Sequence, residues 1–382
     1  MSAELEAWEA ACAQLRDIGL QLAARTDETA AAEIFEHLVD QATVWLNWET
    51  LHADPSRPFF HRHNDLVSQW GGPNADNVYR HARIEPGRRY AIRGDMHSCD
   101  EFLLAIRAGF MHQPVWGTLE QCSATDLKIG PGEEFEILLG GDAPGAIPIP
   151  DGAIMASIRE YYFDWTTEEP AFFTIECLDP EPAAVNPPLG DRLTEALAVM
   201  TDSLEYWHTY MVENRSDRID NTYESSTVAP AKGLAAARYE FCFWDLAEDE
   251  ALIIETDVPD ARYWSATLYM MSTFELVDWY GAITSRNHRQ SAVSTDGRVR
   301  FVVAAQDAGV GNWLDTTGRQ TGLCTLRWFW PHSETRPSIS TNVVAVTDVG
   351  AALGAHGRPV TAAERAEELA SRQAHLRSRF RA

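Results

Sequence analysis

The stretch Gly311-Asn312-Trp313-Leu314-Asp315-Thr316-Thr317-Gly318 decides the fold of this chain. It lies between two runs of strand-forming residues, Val299 to Ala305 and Leu323 to Trp330. A glycine at each end, with an amide, a large aromatic ring and a carboxylate between them, is typical of a tight loop that joins two core strands. We therefore expect the surrounding chain to consist mainly of β-strands.

Further strand-like runs follow this pattern on both sides of a polar and helical middle. Residues 134–139, 154–165 and 172–178 form such runs, and Gly and Pro separate them. This spacing is typical of all-β sandwiches. The predicted segments are a helical N-terminal segment (1–55), a first β domain (56–185), a helical linker (186–236), a second β domain (237–348) and a C-terminal helix (349–382).

Composition limits the class of protein. The chain has 382 residues and a formal net charge of -26. This charge argues against binding to nucleic acid or to an anionic membrane, which both attract positive charge. The sequence has no apolar run long enough to cross a bilayer. Its six cysteines include no C-x-x-C pair. The first residues do not have the pattern of a signal peptide, so we expect none. We therefore expect a cytoplasmic protein with reduced thiols.

The two ends of the chain are predicted to be helical and of opposite charge. Apolar residues recur every three or four positions from Leu5 to Leu22 and from Ile34 to Trp48. The run Thr361-Ala362-Ala363-Glu364 is a capping box that starts a C-terminal helix. We expect the basic tail to dock on the acidic N-terminal helices, within or between subunits, and the protein to form a homo-oligomer.

Two histidines and an aspartate are the candidate catalytic residues. His61 and His63 share one face if they lie on a strand, and Asp65 follows on the same face. An imidazole titrates near neutral pH, and a carboxylate beside it orients it for acid/base catalysis. Alternatively, the pair binds a metal ion with Asp65, His97 or His112 as third ligand, or the stretch is a polar loop. The preferred interpretation includes no metal ion and no cofactor.

A second polar stretch supplies candidate substrate-binding residues. Asp76, Asn77, Tyr79 and Arg80 offer hydrogen bonds and a positive charge to the polar groups of a ligand. In the alternative interpretation, the first two residues shape the turn after Pro73 and the tyrosine packs beneath it. The sequence leaves both interpretations open.

The loop between the two core strands supplies the remaining candidates. Asn312, Trp313 and Asp315 are predicted to face a pocket, and Arg327 on the following strand is predicted to add charge to it. In the alternative interpretation, Asp315 caps the turn through the amides of the two threonines after it, and Trp313 fills the core of the sandwich.

The same region carries a family resemblance. Residues 240–331 resemble the bacterial family numbered 1214 among domains of unknown function, and residues 76–94 are similar to the start of its partner family 1254. The resemblance implies two jelly-roll-like β-sandwich domains and little about activity. Val310 departs from the family pattern, in which proline is frequent. The matching runs are Tyr263-Trp264-Ser265, Leu268-Tyr269, Asp296-Gly297-Arg298, Asp307-Ala308-Gly309, Asn312 to Thr316, Gly322 and Leu326-Arg327-Trp328.

The leading hypothesis is a cofactor-independent enzyme that acts on a small, partly apolar organic metabolite. Its acid/base chemistry would be of the lyase, hydratase, isomerase or hydrolase type. No nucleophile elbow, P-loop, H-E-x-x-H or dinucleotide-binding glycine pattern occurs in its proper context. The alternatives are a non-catalytic protein that binds carbohydrate or another small molecule, and a metal-dependent enzyme that uses the paired histidines.

Overall fold

A computed structural model of the chain describes residues 2–25, 31–64, 68–179, 187–225 and 237–380. Strands hold 33% and helices 28% of the residues. The prediction of a mainly β protein with helical N-terminal and C-terminal segments is therefore confirmed. Within these ranges, every helix is too short or too polar to span a lipid bilayer.

The first set of strands forms two antiparallel sheets. Its members are β1 (His61–Asn64), β2 (Asn77–Arg83), β3 (Tyr90–Asp95), β4 (Glu101–Gly109), β5 (Gly117–Ser123), β6 (Glu134–Leu139), β7 (Met155–Tyr161) and β8 (Phe172–Cys177). Sheet A has the order β1-β2-β7-β4-β5, and sheet B has the order β6-β3-β8. A single helical turn, α3 (Ala124–Leu127), follows β5.

The second set forms two more sheets. Its members are β9 (Glu224–Ser225), β10 (Ala237–Asp245), β11 (Glu250–Asp257), β12 (Ala261–Tyr269), β13 (Ser285–Asn287), β14 (Arg298–Ala304), β15 (Trp313–Asp315), β16 (Thr321–Pro331) and β17 (Ile339–Ala345). Sheet C has the order β9-β10-β16-β12-β13, and sheet D has the order β17-β11-β14-β15. The pairing of β14 with β15 is parallel.

The two sets repeat one strand order. The order β1-β2-β7-β4-β5 of sheet A returns as β9-β10-β16-β12-β13 in sheet C. The order β8-β3-β6 of sheet B returns as β17-β11-β14 in sheet D, to which β15 is added. Sheets A and C are therefore equivalent layers of two similar units.

Each unit is held together by the apolar faces of its two sheets. The ring of Phe102 in sheet A packs edge-on against Phe173 in sheet B, with ring centres 5.3 Å apart. Trp264 in sheet C packs in the same way on Phe301 in sheet D, at 6.3 Å. Since side chains alternate along a strand, the opposite faces of sheets A and C are left to contact each other.

Helices cover the ends of these layers. They are α1 (Ala3–Ala23), α2 (Ala31–Thr50), α4 (Leu189–Ser216), α5 (Val349–Leu353) and α6 (Ala362–Ser378). On α4, apolar residues from Leu193 to Met211 recur every three or four positions and are buried. Helix α6 begins at the predicted capping box, in which Thr361 and Glu364 each bond to the other's backbone amide.

Within this chain, α6 packs on both sets of strands, whereas the charge pattern predicted the N-terminal helices. On the side of the first set, the ring of His375 lies 5.2 Å from that of Tyr162, the residue after β7. Arg365 pairs with Asp307 after β14 at 3.0 Å. Arg372 donates to Ser285 on β13 at 2.9 Å. Specific acceptors on nearby loops thus outweigh the general attraction of the acidic N-terminal segment.

Candidate functional site

A cavity of about 320 Å³ lies between sheets A and C. Beside it the two sheets are in direct contact, since the rings of Tyr161 and Phe329 lie 5.7 Å apart. This volume is at the lower end of the range for ligand pockets. The lining residues are Asn64, Trp70, Gly71, Gly72, Pro73, Asn77, Tyr79, His81, Leu103, Ala105, Arg107, Met111, Trp116, Thr118, Ser157, Arg159, Trp207, Tyr210, Tyr239, Phe241, Phe274, Thr325, Arg327 and Phe329.

Strand β2 supplies one polar wall of the cavity. Asn77, Tyr79 and His81 lie two residues apart and therefore share the face toward sheet C. The side-chain amide of Asn77 donates to a backbone carbonyl of β7 at 2.6 Å. The hydroxyl of Tyr79 accepts a hydrogen bond from the amide of Asn74 at 2.9 Å. Both residues are thus fixed in the wall.

His81 is a buried and neutral member of this wall. Its Nδ1 atom lies 3.0 Å from the hydroxyl oxygen of Ser157 on β7. Burial holds the pKa of His81 well below its usual range, and the positive charge of Arg107 acts in the same direction. A neutral imidazole has one nitrogen that can accept a hydrogen bond and one that can donate.

Three arginines from three strands line the same cavity. They are Arg107 on β4, Arg159 on β7 and Arg327 on β16. The guanidinium of Arg159 lies over the ring of Tyr79 at 5.4 Å, and that of Arg327 lies over the ring of Tyr239 at 5.5 Å. Burial, with the charge of Arg159, lowers the pKa of Arg107 to about 9. The described lining contains neither Asp nor Glu.

An aromatic wall closes one end of the cavity. Trp207 and Tyr210 project from α4, and Phe274 projects from the loop after β12. Gly71 and Gly72 both have positive φ angles, 65° and 64°. A Cβ atom would lie 2.5 Å from the Trp207 ring at the first glycine and 2.3 Å from the Phe274 ring at the second. The glycines therefore allow these rings to approach the backbone.

The histidines predicted to be catalytic lie outside the cavity, on the far side of His81. The rings of His52, His61, His63 and His81 form a row, with successive centres 4.3, 4.9 and 4.9 Å apart. His63 is fully buried and packs edge-on against Trp48 at 4.8 Å. Burial lowers the pKa of His61 to about 4. Neither His61 nor His63 lines the cavity, and only His81 connects the row to it.

The remaining members of the predicted catalytic and metal sites are not assembled around these histidines. Asp65 lies outside the described residues. His97 bonds to the carbonyl of Pro170 at 2.7 Å, and His112 stacks on Phe110 with ring centres 5.7 Å apart. Over the ranges that the structure covers, no group of three or more His, Cys, Asp or Glu side chains is arranged to hold a metal ion.

Two of the candidate substrate-binding residues have buried protein partners. Asp76 accepts hydrogen bonds from the hydroxyl of Tyr263 at 2.6 Å and from the amide of Asn287 at 2.7 Å. Arg80 faces sheet B and donates to Glu160 at 2.5 Å. Neither lines the cavity.

The loop from Gly311 to Gly318 forms a clasp outside the cavity. The side-chain amide of Asn312 exchanges two hydrogen bonds of 2.8 Å with the backbone of Ala292. The ring nitrogen of Trp313 donates to a backbone carbonyl of β14 at 3.0 Å. Asp315 accepts from the amide of the second residue after it at 2.7 Å. Asn312, Trp313 and Asp315 thus bond to the protein itself, and only Arg327, farther along, reaches the cavity.

The cavity brings together three of the sequence candidates, Asn77, Tyr79 and Arg327, and several residues that sequence reasoning did not select. The most notable of the latter are His81, Arg107 and Arg159. His81 continues the polar alternation of β2, which is a signal that could have been used. Arg107 is a charge in a mostly apolar part of β4, and a buried charge of this kind can mark a pocket. Arg159 is followed directly by Glu160 in β7, so this signal is absent from the sequence there.

A comparison with protein families finds a match within the second set of strands. A model of the family described as "Protein of unknown function (DUF1214)" matches residues 245–333. The match is confined to this segment and coincides closely with residues 240–331, for which the sequence predicted the resemblance. The predicted family resemblance is thus confirmed. The DUF1214 segment runs from the end of β10 through β16, so it contains the Gly311–Gly318 loop and supplies Arg327 to the cavity. The similarity to the partner family stays a prediction.

Solved structures resemble the chain over a longer span. An uncharacterized protein from Burkholderia cenocepacia is 25% identical, with a TM-score of 0.81 over 90% of this chain and 98% of that chain. The VPA0106 protein from Vibrio parahaemolyticus is 12% identical, with a TM-score of 0.48 over 85% of this chain and 100% of that chain. No curated protein matches the sequence. The first similarity extends well beyond the DUF1214 segment, so both sets of strands occur in another solved protein.

Proposed function

We propose that this protein binds a small, partly apolar organic molecule in the cavity between sheets A and C. The observation that carries this proposal is the mixed lining, in which rings from α4 and the loop after β12 meet polar side chains from both sheets. Apolar pockets with a few fixed polar groups are typical of small-molecule sites. The modest volume favours a compact ligand.

The expected jelly-roll-like form of the two units belongs to the same proposal. In support, the strands of both sets divide between two sheets in the same way when β15 is not counted. The second, seventh, fourth and fifth strands of each set are neighbours in one sheet, and the eighth, third and sixth are neighbours in the other. The cytoplasmic location and the homo-oligomeric state expected from the sequence stay predictions.

Filling the cavity should abolish binding. Ala105 lies on β4 and lines the cavity, so Ala105→Phe would place a ring in the space that the ligand needs. A panel of small aromatic and aliphatic compounds is titrated into the wild type and the variant, and binding is measured by calorimetry and by tryptophan fluorescence. We expect compounds that bind the wild type to bind Ala105→Phe at least about tenfold more weakly, because overlap with the new ring must be relieved.

A substitution of the same type outside the cavity is the control. Ala352 is exposed on α5, and Ala352→Phe should leave binding unchanged. Thermal unfolding of both variants shows whether they remain folded. Equal binding by the wild type and a folded Ala105→Phe variant would place the ligand elsewhere.

An enzyme that uses acid/base chemistry on the same ligand is the second candidate. The pair of His81 and Ser157 favours it, since a neutral imidazole bonded to a hydroxyl faces the cavity. The chemistry that we expected at His61 and His63 would then occur at His81. If this candidate holds, His81→Gln abolishes turnover of a compound that binds and leaves its affinity within a few-fold. Unchanged turnover would exclude His81 as the acid/base group.

A further inference from the structure

The positive charges that border the cavity are not neutralised by the protein. Arg107 and Arg327 are only 9% and 4% exposed, and neither has a carboxylate partner among the described residues. The charge that acts most strongly on Arg107 is that of another arginine, Arg159. Both guanidiniums thus border one cavity from which most water is excluded.

Several other buried arginines of this chain pair with carboxylates. Arg80 meets Glu160 at 2.5 Å, and Arg286 meets Glu368 at 2.5 Å. Arg372 is buried too, and it donates instead to Gln290 and Ser285 at 3.0 and 2.9 Å. With 57 acidic residues against 31 basic ones, the chain has carboxylates in excess. The lack of one at Arg107 is therefore not explained by a shortage of acids. Burial of an unpaired charge is unfavourable, so such a charge is most often found where a ligand or partner compensates it.

Aromatic rings, rather than carboxylates, position two of the three side chains. Arg159 lies over Tyr79 at 5.4 Å. Arg327 lies over Tyr239 and Tyr269, at 5.5 and 5.6 Å, and donates to the hydroxyl of the latter. A guanidinium that stacks on a ring keeps its N–H groups available at its edge. The arginines are thus oriented without using up their donors.

Resting on the proposed small-molecule function, we infer that the ligand is a small organic anion. Its acidic group, of the carboxylate type, binds at the guanidiniums of Arg107, Arg159 and Arg327. Its apolar body lies against the rings of Trp207 and Phe274. Guanidinium groups form paired, charge-assisted hydrogen bonds with carboxylates, and these are strong where water is excluded. The inferred ligand therefore combines one negative end with one compact apolar end.

Matched probes test the charge and the apolar body separately. Benzoate and benzamide share a ring and nearly the same shape, and only the first is anionic. Inorganic phosphate carries negative charge without an apolar body. By calorimetry at low ionic strength, we expect benzoate to bind at least about tenfold more tightly than benzamide. We also expect it to bind more tightly than phosphate, and its affinity to fall as salt is added.

Variants test whether the arginines cause the preference for benzoate over benzamide. Methionine removes the charge and retains much of the length of the side chain, so Arg107→Met and Arg327→Met should each reduce the benzoate preference to within about threefold. Arg93→Met is the matched control. Arg93 lies on sheet B, is exposed and pairs with Glu136 and Glu176, and its loss should leave the preference unchanged.

Each outcome separates the inference from the proposed function. If benzamide binds as tightly as benzoate, or if the preference persists in both cavity variants, the anion inference fails and the binding function stands. If none of the three probes binds but a neutral compound of the panel does, the anion inference fails and the binding function stands. If neither the probes nor any compound of the panel binds, both fail. If phosphate binds most tightly, the inference that the ligand has an apolar organic body is wrong.

Unfolding without ligand gives an independent measurement. Arg107→Met removes an uncompensated buried charge, so its urea midpoint in phosphate-free buffer should exceed that of the wild type. A lower midpoint would mean that the guanidinium is already compensated in the free protein, which would overturn the inference.

Discussion

Replacing Asp76 with alanine is expected to destabilise the folded protein by about 3 to 5 kcal/mol, which is the usual cost of removing one partner from a buried charged network. Asp76 is fully buried and joins the two sets of strands. It follows the first glycine-rich loop in sequence, but its partners Tyr263 and Asn287 lie on β12 and β13. Their hydroxyl and amide would lose an acceptor where water cannot replace it. Urea unfolding followed by tryptophan fluorescence measures the loss.

Two further variants define the origin of this effect. Asp76→Asn keeps the shape and one acceptor oxygen but removes the charge, so it should destabilise less than alanine does. Asp142 is exposed, and Asp142→Ala should change stability by no more than about 0.5 kcal/mol. If Asp76→Ala retains wild-type stability and loses ligand binding instead, Asp76 is a ligand-binding residue, as the sequence first suggested.

The sequence predicted best those features that depend on local spacing. The buried stripe of α4 and the capping box at Thr361 and Glu364 follow from helical periodicity and end chemistry, which neighbouring residues determine. The pattern is weaker on α1, where Leu5 and Trp8 belong to the predicted stripe and are 45% and 52% exposed. Periodicity identifies the apolar face of a helix, but it does not show how much of that face other elements cover.

The site was harder to predict because its walls come from distant strands. Because side chains alternate along a strand, Asn77 and Tyr79 share one face of β2 and Arg80 lies on the other. It does not show which face borders a cavity. That depends on the packing of sheet A between sheets B and C, which no local signal encodes. Arg107 and Arg159 border the same cavity because β4 pairs with β7, in a register that places Arg159 opposite Leu103 and Arg107 opposite Met155.

The paired histidines illustrate the same limit. Their spacing suggested a shared catalytic face, but α2 packs over them and covers them with aromatic rings. Trp45 and Trp48 of that helix lie 5.2 and 4.8 Å from the ring of His63. The chemistry of a histidine depends on the element that covers it. Here that element is α2, which lies earlier in the chain, and the spacing of the histidines does not indicate that it packs over them.

Acidification is expected to unfold this protein because several histidines are buried in their neutral form. Burial lowers the pKa of His112 to about 3 and that of His61 to about 4. The pKa of His63 is held well below its usual range by burial first, and by the charges of His81 and Arg83 among others. An unfolded histidine titrates near pH 6.5. Between that pH and the folded pKa, the unfolded state binds more protons, so stability falls as pH falls.

Variants of single histidines isolate this effect from that of the buried carboxylates. Burial raises the pKa of Glu168 to about 8 and that of Asp40 to about 6, and these groups favour the folded state on acidification. In a comparison of the wild type with His63→Phe or His112→Phe, their contributions cancel. By about pH 4.5, each deeply buried histidine should have lost roughly 2 to 3 kcal/mol of stability relative to pH 8.

Phenylalanine cannot take up a proton, so each variant should gain that amount relative to the wild type as pH falls, and its acid-unfolding midpoint should move to lower pH. His332 is exposed, and His332→Phe should leave the midpoint unchanged. Tryptophan fluorescence measures the unfolding transition, and Trp45 and Trp48 beside His63 contribute to it. If the midpoints of His63→Phe and His112→Phe equal that of the wild type, these rings take up protons as readily in the folded protein as in the unfolded chain. Their nitrogens would then need acceptors, and both ring nitrogens of His63 and of His112 lack hydrogen-bond partners among the described residues. The neutral form follows directly from that packing, because an imidazolium in this aromatic enclosure would carry two unsatisfied donors.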